Sequence, residues 1–252
     1  MKNEKYSLVL AGGAALGFAH IGAIKNLEKT LTTPHEIIGT SMGAIIGAFL
    51  AKGYNSKQIY QIIDELKYLK IIKTSIFNKT GILKYDKIKK FLIKKLGNIK
   101  ISELKIKLKL IATNLKTGEI KIFEKNDNLI DAICSSIAIP GIFQPYQINQ
   151  EKYVDGFLCS NFPFEYAKNK KIIAIEIISN NYIKNLKTTS KTQILTKSIF
   201  ILIKTQTNQK IKTLKNKDLK IIEIDLKHYK KTDFLKWKQI IKLGETQTKN
   251  SF

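Results

Sequence analysis

A glycine-flanked serine, a glycine-rich loop and a late aspartate–glycine pair are the residues of this chain whose types and spacing could do chemistry together. Gly39-Thr40-Ser41-Met42-Gly43 has the form G-x-S-x-G, after a short apolar run (Glu36–Ile38) and before a stretch rich in small residues, Gly43, Ala44, Gly47 and Ala48, that ends at Gly53. That context suits a nucleophilic serine on a sharp strand-to-helix turn, with the positive end of the helix where negative charge would develop. Gly12-Gly13-Ala14-Ala15-Leu16-Gly17 also lies between an apolar run and a helical stretch. Backbone N–H groups of such a loop can hold an anion. Ala14 stands where the second glycine of G-x-G-x-x-G belongs, and the loop has no lysine, so neither a dinucleotide fingerprint nor a P-loop is met. Asp155-Gly156 stands at the end of a short strand-like stretch, Lys152–Val154, and its carboxylate could take the proton of Ser41. A free aspartate, with a pKa near ~3.9, is a weak base for a hydroxyl and must act within hydrogen-bond reach.

Each stretch alone also reads as ordinary structure: a turn starting a helix, a phosphate cradle, or a turn dipeptide. His20, His35 and His228 are the only histidines. A triad through His228, which comes late in the chain, stays open as an alternative to Asp155.

The elements that must position these groups follow from periodicity. Strands are expected at Tyr6–Leu10, Glu36–Ile38, Leu104–Leu110, Ile120–Phe123, Ile172–Ile178 and Leu219–Ile224, with a hairpin formed by Tyr146–Ile148 and Lys152–Val154. The alternation of Leu104, Ile106, Leu108 and Leu110 with lysines predicts a strand with one wet face. Helices are expected at Phe18–Lys29, from Met42 to Gly53, at Ser56–Ile72 with Ser56 as its cap, from Asp86 to Leu96, at Leu129–Ile137, around Ile194–Lys204 and from Asp233 to Thr246. Strands alternating with helices, without a linker or repeat, argue for one α/β domain with a largely parallel sheet.

Composition narrows the partners. The 252 residues carry a net charge of +24, yet all 44 basic residues are lysines spread along the chain. Without arginine's planar fork, nucleic acid is not an expected partner. A solvated lysine surface, with some attraction to anionic membrane lipids, fits better. Cys134 and Cys159 are the only cysteines and form no C-x-x-C pair, so no disulfide framework or zinc site is expected, and a reducing compartment suits them. The fifteen uncharged residues from Tyr6 to His20 imitate a signal peptide, but Gly12, Gly13 and Gly17 break the run. The expectation is a cytoplasmic protein, at most peripheral at a membrane.

In this order the motifs resemble the patatin-like phospholipases. Leu10–Gly22 is similar to that family's oxyanion segment and Ile38–Ala44 to its elbow. Ala112-Thr113-Asn114-Leu115-Lys116-Thr117-Gly118 resembles a recurring stretch between them; Ser136–Phe143 leads to Val154-Asp155-Gly156 as the family's run does, and Asn161 and Pro163 follow in place. The resemblance covers about residues 6–178 and implies a single three-layer α/β/α domain over residues 1–252. It further implies a Ser41–Asp155 dyad, an oxyanion loop of Gly12, Gly13 and Ala14, structural glycines at Gly17, Gly39, Gly43 and Gly156, and no metal or cofactor. The implied substrate is a phospholipid or other fatty-acyl ester. Three departures stand out: Ala14 for the usual third glycine, Leu16 where arginine is frequent, and the bulky Phe157 after Asp155-Gly156. They motivate an alternative, a lipid-binding or regulatory protein that kept the fold without turnover.

Overall fold

Tyr6–Leu10 forms β1, whose five residues are all buried, as a strand covered on both faces requires. In a computed structural model describing residues 5–31, 33–68 and 85–252, β1 lies inside an eight-stranded sheet. The other strands are β2 (Glu36–Thr40), β3 (Lys107–Asn114), β4 (Ile120–Phe123), β5 (Tyr146–Ile148), β6 (Glu151–Asp155), β7 (Lys171–Glu176) and β8 (Asp218–Glu223). Their order is β5-β6-β3-β2-β1-β7-β8, with β4 also paired to β3. Strands β3, β2, β1, β7 and β8 run parallel, while β4, β5 and β6 pair antiparallel, including the expected hairpin.

Helices flank this sheet: α1 (Ala19–Thr30), α2 (Met42–Lys52), α3 (Ser56–Tyr68), α4 (Asp86–Leu96), α5 (Leu129–Ser136), α6 (Phe157–Ser160), α7 (Asn180–Lys184), α8 (Lys191–Thr213) and α9 (Trp237–Gln247). The last helix packs on the first through a glycine pair. A Cβ on Gly22 would lie 2.1 Å from the Ile241 carbonyl oxygen, and one on Gly244 would lie 2.3 Å from that of Ala19. The Asn26 amide donates to the Glu245 carbonyl at 2.7 Å and so locks the crossing.

Several sequence expectations change. Asn55, not Ser56, caps α3: its side chain accepts from the Gln58 N–H at 2.9 Å while the Gln58 side chain accepts from the Asn55 N–H at 2.9 Å. This is a reciprocal capping box, and Ser56 instead donates its hydroxyl to Glu28. Leu69 and Ile72, the expected end of this helix, lie outside the described residues. Helix α8 extends well beyond the expected 194–204.

The expected wet face of β3 is not wet at Lys109, which is 7% exposed. Its ammonium lies 3.4 Å from Glu36 Oε2 and donates to the Tyr166 carbonyl at 2.6 Å. Glu36 is buried too, and burial pushes its pKa up. Hydrogen bonds from Ser7, Lys168 and Asn169 together with the Lys109 charge outweigh that and hold it below its usual value. Alternation misled here because β3 is an interior strand with both faces covered, and a long cation reaches a buried acid. Lys109→Ala leaves that acid unpaired and is expected to destabilise by about 3–5 kcal/mol in urea unfolding; a loss below about 1 kcal/mol would mean that the pair is effectively solvated.

Candidate active site

Strand β3 brings the two chemical ends together. Its pairing with β2 runs to Thr40 opposite Ile111, and its pairing with β6 begins with Asp155 opposite Ala112. Ser41 leaves the sheet beyond Thr40 and Asp155 ends β6, so residues 114 positions apart in the chain become neighbours.

Ser41 sits at the turn into α2 with φ 56° and ψ −120°, a conformation rarely adopted by L-residues and costing on the order of 1–3 kcal/mol. The surroundings enforce it. The Ser41 N–H donates to Ser136 Oγ at 2.9 Å, and the Ser136 hydroxyl donates to the Ile111 carbonyl at 2.6 Å, tying the elbow to β3. The Thr40 hydroxyl donates to the Ser160 carbonyl at 2.8 Å. Neither flanking glycine has room for a side chain: a Cβ on Gly39 would lie 2.5 Å from the Gly43 carbonyl oxygen, and one on Gly43 would lie 2.2 Å from that of Leu10.

Asp155 is fully buried. Its N–H donates to the Ala138 carbonyl at 3.0 Å, and Oδ1 accepts the Phe157 N–H at 3.0 Å. Burial raises its pKa to about 7, although the Ser41 hydroxyl and the Phe157 N–H both favour the charged form. The serine bears on the carboxylate, and Oδ2 has no partner in hydrogen-bonding geometry among the described residues. An unpaired acceptor in a dry site is costly. Next to it, Gly156 is required by close approach, since a Cβ there would lie 2.4 Å from the Ile111 carbonyl oxygen.

The glycine-rich loop closes the third side. A Cβ on Gly12 would lie 3.2 Å from Ser41 Cβ, which places the loop against the serine. One expectation is corrected: the Gly12 N–H is already donated to the Asn161 carbonyl at 2.9 Å, and the Asn161 amide returns a bond to the Gly12 carbonyl at 3.3 Å. The Ala15 N–H is donated to the Lys231 carbonyl at 3.1 Å. The N–H groups of Gly13 and Ala14 have no acceptor among the described residues. Ala14 holds φ 49°, a glycine-like conformation that costs an alanine about 1 kcal/mol. Gly17 packs on the residue after the serine, its Cβ position only 2.4 Å from Met42 Cγ.

Leu16 is fully buried in the core, and Phe157 is half-buried against it. The histidines are elsewhere engaged or distant. His20 is fully buried with Nε2 2.8 Å from the Ala11 carbonyl, and burial lowers its pKa to about 4, so it is neutral near pH 7. His35 precedes β2, at the opposite end from Ser41. His228 is exposed after β8 and makes no hydrogen bond to Ser41 or Asp155 among the described residues, whereas Asp155 bears directly on the serine. Among the described residues no group of three or more His, Cys, Asp or Glu could hold a metal ion, and no helix is long and apolar enough to cross a membrane.

Two neighbours have roles that motif reading did not assign. Ser136 opens a stretch that the resemblance already marks, but only the fold shows its task, turning its hydroxyl toward the Ser41 N–H. Tyr85 stacks on Phe143 with ring centres 5.2 Å apart and donates to the Gln144 carbonyl at 2.6 Å. Its phenol pKa is raised by burial and, secondarily, by the charges of Cys134 and Asp155.

Residues 8–168 match the sequence profile of the patatin-like phospholipase family. The chain belongs to that family. It is 31% identical over 163 residues to an uncharacterized NTE family protein of Mycobacterium tuberculosis, a match covering 64% of this chain and 45% of that protein. The chain thus spans less than half the length of those mycobacterial relatives. A lysophospholipase of Candida albicans is 28% identical over 186 residues, covering 70% of this chain and 13% of that protein. In three dimensions this patatin-like chain is similar to VipD from Legionella pneumophila, with a TM-score of 0.53 at 13% identity over 98% of this chain and 66% of that one.

The raised pKa of this patatin-like protein's Asp155 has a stability consequence. Protonation of the buried acid supports the fold fully below the ordinary value of 3.8. That support is lost progressively as pH rises toward about 7 and is absent above it. The loss is on the order of 4 kcal/mol. Asp155→Asn is therefore expected to raise the thermal midpoint at about pH 8, with the gain shrinking towards about pH 4. A gain independent of pH would contradict the raised pKa.

Proposed function

We propose that the protein hydrolyses fatty-acyl esters of lipids, phospholipids or lysophospholipids among them, through Ser41 and Asp155. The observation that carries this reading is a strained, buried serine beside a fully buried carboxylate with one free oxygen and a pKa of about 7. Family membership and the lysophospholipase relative support the substrate class.

Ser41 Oγ attacks the ester carbonyl while its proton passes to Asp155 Oδ2, the oxygen without a partner. The carbonyl oxygen becomes an oxyanion, held by the free N–H groups of Gly13 and Ala14 and favoured by the positive end of α2. Collapse breaks the bond to the alcohol, which leaves with the proton from Asp155, and Ser41 carries the acyl group. Water then attacks the acyl-enzyme, giving its proton to Asp155. Ser41 departs with that proton and the fatty acid is released. A pKa near 7 makes Asp155 a far better base than a solvated aspartate while leaving it largely ionised in slightly alkaline solution. Ser136 acts through Ser41 as a positioning residue, because its hydroxyl fixes the nucleophile's own N–H.

An alkyl fluorophosphonate is expected to label the wild-type protein at Ser41. Ser41→Ala should abolish labelling and lipid hydrolysis together, and Asp155→Asn should slow both by about 10²–10⁴-fold. A protein that binds lipid vesicles but takes no label and releases no fatty acid from any phospholipid or lysophospholipid would be the binding protein without turnover.

A further inference from the structure

Among the described residues, helix α8 leaves one apolar stripe uncovered. Ile194 is 52% exposed, Leu195 63%, Ile201 48% and Leu202 65%. The two pairs stand seven residues apart, two helical turns, and so share a face. Large apolar side chains gathered on one face mark an interaction surface more often than scattered ones do.

Charge identifies what that surface fits. Between Glu176 and Asp218 the chain runs 41 residues without an acid and includes nine lysines. Lys204 and Lys210 turn inward to Glu176 and Glu165. Lys184, Lys187 and Lys191, at and just before the start of α8, are exposed, and no acid pairs with them among the described residues. An isologous contact with a second copy would set lysine against lysine. Nucleic acid offers nothing for the exposed leucines and isoleucines. A bilayer surface bearing anionic headgroups matches both halves, apolar side chains entering the headgroup boundary and ammonium groups meeting phosphates.

The helix also touches both halves of the site. Lys231 gives its carbonyl to the Ala15 N–H of the glycine-rich loop, and its ammonium lies 5.7 Å from the centre of the Phe200 ring on α8. At the other end, Lys210 donates to the Cys159 carbonyl at 3.0 Å in α6, the helix whose Phe157 N–H holds Asp155. We propose that the exposed face of α8 is the surface by which the protein docks on an anionic lipid bilayer. The proposal rests on the lipid reading for its biological sense, but docking needs no turnover and can be measured without it.

The test is co-sedimentation with phosphatidylcholine vesicles, with and without phosphatidylglycerol, using the full chain carrying Ser41→Ala so that no lipid is consumed. Binding is expected only to the anionic vesicles and should weaken as salt rises. Adding Leu195→Gln and Leu202→Gln should weaken it about tenfold with the thermal midpoint unchanged, and so should Lys184→Gln, Lys187→Gln and Lys191→Gln together. Equal binding to neutral vesicles, undiminished binding of both variants, or a dimer in light scattering that the leucine variant dissolves would overturn the proposal. Docking by a protein that hydrolyses no ester would overturn the hydrolase reading alone.

Discussion

A carboxylate held wholly out of water beside a strained serine is the constraint on which the rest of this structure turns. Burying Asp155 opposes folding at neutral pH, and holding Ser41 at a positive φ opposes it again. Neither strain would persist on a pliable loop. Both groups therefore sit where strands end, on the same neighbour: β3 carries β2 to Ile111 and β6 from Ala112. Ser136 then bonds the Ser41 N–H and the Ile111 carbonyl together, so the elbow is fastened to the strand that also aligns Asp155.

Close backbone contact is the means. At Gly39, Gly43 and Gly156 a single added carbon would meet a carbonyl oxygen well inside van der Waals distance. The same device recurs far from the serine, where Gly22 and Gly244 let α9 press against α1. Buried ions serve the fold differently. Lys109 with Glu36, and Lys204 with Glu176, place charges in the interior only where each finds its opposite. A cation alone does not set the pKa, since burial raises that of Glu176 to about 7 despite Lys204. Glu36 falls because Ser7, Lys168 and Asn169 donate to it beside the Lys109 charge, whereas only Ser41 and the Phe157 N–H oppose the burial of Asp155, whose pKa climbs.

Much of the architecture was legible in the sequence, because apolar runs of five or six residues and small-residue helix faces have few other uses. The strand–turn–helix around Ser41, the hairpin at residues 146–155 and the parallel core could be placed from pattern and punctuation. Other features could not, for identifiable reasons. Period-2 alternation reports which side chains are apolar, not whether the opposite face is solvated, so Lys109 read as wet. Two adjacent capping residues, Asn55 and Ser56, compete on equal terms until Glu28, far away in sequence, claims the serine. The glycine-rich loop announced an array of N–H groups, but which remain unbonded depends on the chain path at Asn161, which takes Gly12 and leaves Gly13 and Ala14.

The decisive quantity is the protonation of one carboxyl group. Infrared difference spectra of the wild-type protein against Asp155→Asn, recorded from about pH 4 to about pH 9, isolate the protonated carboxyl band of Asp155. A midpoint at about 7 is expected, as burial beside Ser41 requires. A midpoint near the ordinary value of 3.8 would show that the carboxylate is hydrated, and would contradict its role as the base poised for Ser41.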